Sequence, residues 1–202
     1  QQAHRRAVQL EAAVEVARGA SAILDVDELL CSTVQLICDR FDFSHASVYL
    51  LDEEREHVVL RATFTPGDEQ CLDLGLSIAV DENGQTPTPV CRAARTGETH
   101  IARPGDRHSP PLSGPGLDAA RSEIALPLIS RGTVIGVLDV QSARATAFDK
   151  ESSATLRAMA DQLANAVENA RLYEDARQRV AELEAIRRAS LHVTSSLELQ
   201  PV

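Results

Sequence analysis

The chain has no tryptophan, a single methionine, two tyrosines and four phenylalanines among 202 residues. No set of rings is therefore present on which successive nucleobases would stack. Basic residues are also short, 20 against 30 acidic, and the formal charge of −10 repels nucleic-acid phosphates and anionic lipid alike. No apolar run approaches the ~18 residues that span a bilayer. The N-terminus Gln1-Gln2-Ala3-His4-Arg5-Arg6 has neither an initiator Met nor the apolar block of a signal peptide. A soluble, cytoplasmic segment without membrane contact is the expectation. The four cysteines, Cys31, Cys38, Cys71 and Cys91, form no C-x-x-C pair, which excludes a zinc framework and a dithiol redox motif. Cys31 and Cys38 lie seven apart on one expected helix, ~10 Å from each other, too far for a disulfide. Reduced thiols are the default. There is no His-Glu-x-x-His, no G-x-S-x-G and no phosphate-cradling glycine loop, so neither a catalytic nor a metal site is expected.

What is present is an apolar fraction of 44%, enough for one core, and a partial internal repeat. Leu10-Glu11-Ala12 opens a run reaching Leu24-Asp25-Val26-Asp27; Leu183-Glu184-Ala185 opens a similar one reaching Leu197-Glu198-Leu199-Gln200. A repeat that stops after its first helix points to an array of like domains, of which this chain carries one unit and the start of the next.

Helical spacing runs from Arg6 to about Ala22, and a second helix capped by Asp25 or Asp27 follows, with Leu30, Val34, Cys38 and Phe41 on one face. The period then switches to two. Ala46–Leu51 and Val58–Phe64 read as a hairpin around Asp52–Glu56, and Leu74–Val80 as a third strand ended by the turn Asp81-Glu82-Asn83-Gly84. A short helix from Pro89 to Arg95 closes at Gly97, and His100–Ala102 reads as an edge strand. Four prolines and three glycines between Arg103 and Asp118 mark a long loop. Strands Glu123–Ile129 and Thr133–Gln141 follow it, joined by Ser130-Arg131-Gly132.

From Asp149 to about Ser195 there is neither Pro nor Gly. That length makes a helix of ~70 Å, twice the roughly 35 Å breadth of a domain of ~120 residues. Its apolar stripe, Leu163, Ala166, Ala170, Tyr173, Ala176, Val180, Leu183 and Ile186, continues beyond what the domain covers. A second copy of the chain is the expected cover, because a symmetric pair buries both stripes at once.

Four blocks carry a family resemblance: Val90–Thr99, Ala120–Ile129, Gly132–Gln141 and Phe148–Glu151, followed by the helix ending Asn165–Tyr173. Together they resemble a GAF domain. The resemblance implies an α+β fold with a central antiparallel sheet of five to six strands. It places the terminal helices on one face, extended as signalling helices, and a small ligand pocket on the other. The chain then divides into a linker helix (1–23), the GAF domain (24–173), and a second linker helix with the start of another repeat (174–202). GAF domains typically sit upstream of histidine kinases, cyclases or other output modules, so the resemblance implies a sensor in a multidomain signalling protein, not an enzyme in itself.

Departures from the family narrow the ligand. Cyclic-nucleotide-binding members carry Asn-Lys after the strand corresponding to Val134–Val140, then a Phe and an acidic pair; here the places read Gln141-Ser142, Phe148 and Ser152-Ser153. Bilin-binding members attach the chromophore through a Cys commonly followed by His, which no cysteine here has. Cyclic nucleotide and covalent bilin are disfavoured, and the cofactor stays unknown. The pocket candidates are Cys91 on the short helix, His108 in the loop, and Arg121 and Ser122, which would offer a guanidinium and a hydroxyl to an anion. Two other readings stand beside the sensor. One is a dimerising spacer with an empty pocket; the other is a free methionine sulfoxide reductase, an activity known on this fold, for which Cys71 and Cys91 would be the cysteine pair.

Overall fold

The computed structural model describes residues 26–67, 71, 75–80, 88–103 and 120–197. The helix expected over Arg6–Ala22, the turn at Asp81–Gly84, most of the loop with His108, and the side chain of Ile186 lie outside the described residues.

Helix α1 spans Val26–Phe41 and buries Leu29, Leu30, Thr33, Val34, Ile37 and Cys38, three or four residues apart along one face. Asp27, expected as a possible cap, lies in the first turn instead, and its carboxylate pairs with Arg61. The helix stops at Asp42, whose φ of 57° is left-handed and whose N–H donates to the Cys38 carbonyl at 3.1 Å. Strands β1 (His45–Leu51) and β2 (His57–Phe64) form the expected hairpin. Its turn is held by Asp52, whose Oδ1 accepts from the backbone N–H groups of Glu56 and His57. The third strand, β3, is shorter than expected, Ser77–Ala79.

Helix α2 (Pro89–Thr96) is delimited at both ends by its sequence. Thr88 accepts the Cys91 N–H at 3.2 Å, Pro89 occupies the first turn, and Gly97 (φ 68°) donates back to the Ala93 carbonyl. Strand β4 is His100–Ala102. Strands β5 (Ser122–Ser130) and β6 (Thr133–Ser142) are joined by Arg131 and Gly132, both at positive φ as a tight two-residue hairpin requires. Helix α3 runs unbroken over Lys150–Leu197, 48 residues, its first turn capped by Asp149 Oδ1 accepting from the Ser152 N–H at 2.8 Å.

The six strands make one antiparallel sheet in the order β3-β2-β1-β6-β5-β4. Alternation assigns its two faces. Ala46, Val48 and Leu50, Ala62 and Phe64, Ile124, Leu126 and Leu128, and Leu138 and Val140 point to one side, under α1 and α3. There they meet Leu30, Val34 and Ile37 from α1 and Leu156, Met159, Leu163 and Val167 from α3. The other face carries Tyr49, Val58, Leu60, Ala125 and Val137, packed against Val90, Ala93 and Ala94 of α2. At the sheet centre, Gly136 pairs with Leu50 and Leu128, and a Cβ there would stand 2.3 Å from the Tyr49 carbonyl oxygen.

The stripe expected to lie on a partner helix divides in two. Leu163 and Ala170 belong to the buried surface of the domain and Ala166 packs against its core. Leu172, Tyr173, Val180 and Leu183 are exposed, the last at 67%. Spacing shows a continuous apolar edge; the globule covers only its first part.

Candidate functional site

The face opposite α1 and α3 holds a polar cluster in the middle of otherwise apolar strands. β1 contributes His45, Ser47 and Tyr49, β2 Thr63, β5 Glu123, and β6 Asp139 and Gln141; all are buried, with Ser47, Tyr49, Glu123, Asp139 and Gln141 wholly so. Register sets them in two rows across the sheet. Thr63, Ser47 and Asp139 lie opposite one another in the first, and His45, Gln141 and Glu123 in the second.

The β1–β2 side of the cluster is a hydroxyl–imidazole network. His45 Nε2 lies 2.8 Å from Ser47 Oγ and 3.1 Å from Thr63 Oγ1, and Nδ1 lies 3.0 Å from Thr65 Oγ1. The Ser47 and Thr63 hydroxyls are 3.0 Å apart. The β5–β6 side is acidic. Burial first, then the charge of Glu123 and a hydrogen bond with it, raises the Asp139 carboxyl well above its ordinary value; the amide of Gln141, donating Nε2–H to Asp139 Oδ2 at 3.2 Å, offsets part of this. Two carboxylates held this close out of water do not both ionise readily, and one proton shared between them relieves the repulsion. Asp139 Oδ1 receives no hydrogen bond from any described residue. Tyr49 completes the cluster, its phenol pushed up by burial and then by the Asp139 and Glu123 charges. Chemically the group offers a shared proton, acceptor oxygens for a hydrogen-bond donor or a cation, and a phenol that stays protonated.

A surface groove of about 460 Å³ opens on the same face, between the β1–β2 turn and the C-terminal end of α2, lined by residues that include Arg55, His57, Val80 and Arg95. Its apolar wall, Val80 and Ala94, belongs to the layer that also contains Tyr49.

Of the residues that the sequence offers as pocket candidates, Arg121, Ser122 and Cys91 are described, and none belongs to the acid cluster. Ser122 donates its hydroxyl to the Arg144 carbonyl at 2.6 Å, and the Arg121 N–H donates to the Ser142 carbonyl at 2.7 Å, so both fasten the ends of β5 and β6; the Arg121 side chain is exposed. Cys91 is fully buried in α2, its thiol 3.5 Å from the Ala79 carbonyl. His108 is outside the described residues. The signal that was missed is plain in the strands themselves. Glu123 and Asp139 stand at wholly buried places in strands that are otherwise largely apolar, and an ionisable residue buried in a sheet needs partners or a purpose.

The cysteines also depart from expectation. Cys31 of α1 is disulfide-bonded to Cys71, 40 residues on, with Cα atoms 5.6 Å apart. Cys38 and Cys91 are buried free thiols, and burial pushes Cys38 up to about 12. Sequence spacing excluded only the pairing within α1; the partner across the fold carried no local signal.

The sequence pattern of the GAF domain matches residues 23–168. The chain belongs to the GAF domain family. Solved structures agree on the fold. The GAF domain of an Acinetobacter phosphoenolpyruvate-protein phosphotransferase is 22% identical, with 81% of this chain and 95% of that one covered at a TM-score of 0.67. The GAF domain of the corresponding Coxiella burnetii protein is 19% identical, with 83% and 96% covered at 0.68. A free methionine-R-sulfoxide reductase from Neisseria meningitidis, solved with its substrate, is 24% identical, with 82% and 91% covered at 0.63. At these identities the likeness is one of fold. No curated protein matches the chain.

Proposed function

We propose that this GAF domain is a sensory unit of a cytoplasmic multidomain signalling protein, a sensor histidine kinase or a protein with a comparable output. In this reading a small ligand binds on the sheet face that carries the acid pair, and its state passes to α3, paired with the same helix of a second copy. One observation carries the reading. Strand β5 presents Glu123 to the acid cluster and the next residue, Ile124, to the core beneath α3, while β6 does the same with Asp139 and Leu138. A shift of either strand on binding moves both layers, because close-packed interiors transmit displacement. Coupling of this kind needs a ligand that binds one helical arrangement better than the other. The acid pair favours a ligand that donates hydrogen bonds or carries positive charge.

A spacer without a ligand is the second reading, favoured by the complete burial of Glu123 and Asp139. The reductase reading is weaker. Three neighbours of this fold are free methionine sulfoxide reductases, yet Cys71 is bonded to Cys31 on the helical face while Cys91 is buried in α2 on the opposite one.

Native mass spectrometry of the protein purified without denaturation tests the proposal. A bound small molecule that is lost in Asp139→Asn, and whose addition changes crosslinking between α3 segments around Tyr173, supports it. A protein without bound mass, whose crosslinking no added metabolite pool alters, leaves the spacer.

A further inference from the structure

The four cysteines fall into two chemical classes. Cys38 and Cys91 are enclosed, and a thiol held up to about 12, as Cys38 is, supplies almost no thiolate near neutrality. Cys31 and Cys71 are only half-buried, both at the rim of the core beneath α1, and their Cα separation of 5.6 Å falls in the range a disulfide spans without backbone movement. The bond joins two elements of different roles. Cys31 sits in the second turn of α1, the helix that follows the N-terminal linker; Cys71 lies in the connection from β2 to β3, the edge strand of the sheet. A crosslink there fastens the entering helix to the sheet edge.

We propose that Cys31 and Cys71 form a reversible redox tether that crosslinks α1 to the β2–β3 connection when oxidised and leaves the two joined by packing alone when reduced. The oxidant class is a low-molecular-weight disulfide. The thiolate of one cysteine attacks a sulfur of that disulfide, forming a mixed disulfide and expelling one small thiolate. The second cysteine then attacks the protein sulfur of the mixed disulfide, closing Cys31–Cys71 and expelling the other. Two electrons pass from the two cysteines to the small disulfide, and their two protons end on the two released thiols. The tether lies on the face opposite the acid cluster, so it gives α1 an input separate from the one that the proposed ligand gives α3.

The test uses the full chain equilibrated in mixtures of reduced and oxidised glutathione, alkylated without denaturation and mapped by peptide mass spectrometry. The expected result is alkylation of Cys31 and Cys71, and of neither Cys38 nor Cys91, in excess reduced glutathione. As the oxidised form rises, both sites become protected and a peptide pair linked through them gains, having lost the mass of two hydrogen atoms. The thermal midpoint should rise on oxidation by roughly 5–15 °C, since the link closes a loop of 40 residues, and Cys71→Ser should abolish that rise. Alkylation that persists under oxidation, or linkage of another pair, overturns the assignment. A bond that survives excess reduced glutathione overturns the reversibility. Mapping on the unaltered protein decides both points even where the serine variant fails to fold.

Discussion

Gln141 donates its side-chain amide to Asp139 across 3.2 Å, from two positions further along the same strand and on the same wholly buried face. That bond is what the fold offers an acid which burial and a neighbouring Glu123 otherwise disfavour as an anion. It offsets the penalty without removing it, because the carboxyl remains raised.

The raised carboxyl makes stability depend on pH with a definite sign. The folded protein holds the Asp139 proton more tightly than the unfolded chain does, so this group costs nothing below its ordinary value of 3.8. Stability then falls as pH rises from there to the higher folded value, by at most about 1.4 kcal/mol per pH unit for one proton. Asp139→Asn removes the titration. Thermal melts across that window should show the variant gaining on the unaltered protein as pH rises; parallel curves would contradict the raised carboxyl.

The two parts of the α3 stripe should respond oppositely to truncation. Leu163 is wholly buried, so Leu163→Ala should cost about 2–5 kcal/mol in chemical denaturation. Leu183 is 67% exposed on its own chain, so Leu183→Ala should change the stability of the domain by less than about 0.5 kcal/mol while weakening self-association. Equal effects of the two changes would refute the division.

This division shows where sequence was legible and where it was not. An uninterrupted helix could be read from the absence of Pro and Gly after Asp149, the α2 stop from Gly97, and the β5–β6 hairpin from Arg131-Gly132, because each is a local backbone property. What covers Leu163 as against Leu183 depends on where the globule ends, which periodicity does not encode. Cys31 and Cys71 meet only through the packing of α1 on the sheet. At the entry to β5, the Ser122 hydroxyl donates to the Arg144 carbonyl, while Arg121 is bonded there through its backbone N–H and its side chain is exposed. Glu123, one residue later, was the informative position, since an acid in an inward-facing strand place has no ordinary structural reason to be there.

Gly136 is required by close approach. An alanine Cβ would sit 2.3 Å from the Tyr49 carbonyl oxygen, a backbone atom that cannot swing away, and 2.9 Å from Leu50. Gly136→Ala should therefore destabilise by about 1–3 kcal/mol or more through separation of β1 from β6. An unchanged denaturation midpoint would mean that the two strands lie further apart than described.

Thr88 and Gly97 bound a helix of only eight residues, which makes α2 sensitive to its caps. Thr88→Ala should cost about 1 kcal/mol and raise hydrogen exchange at the Cys91 amide, which the threonine side chain accepts. No change in exchange there would show that the cap is not formed.

The central claim is that α3 works as one of a pair, with Tyr173, Val180 and Leu183 covered by a second copy. Sedimentation equilibrium of the unaltered protein measures this directly. The account predicts a particle of twice the 21.8 kDa chain mass, shifting towards the monomer in Leu183→Ala; a single species of 21.8 kDa at every concentration, unaffected by that change, would contradict it.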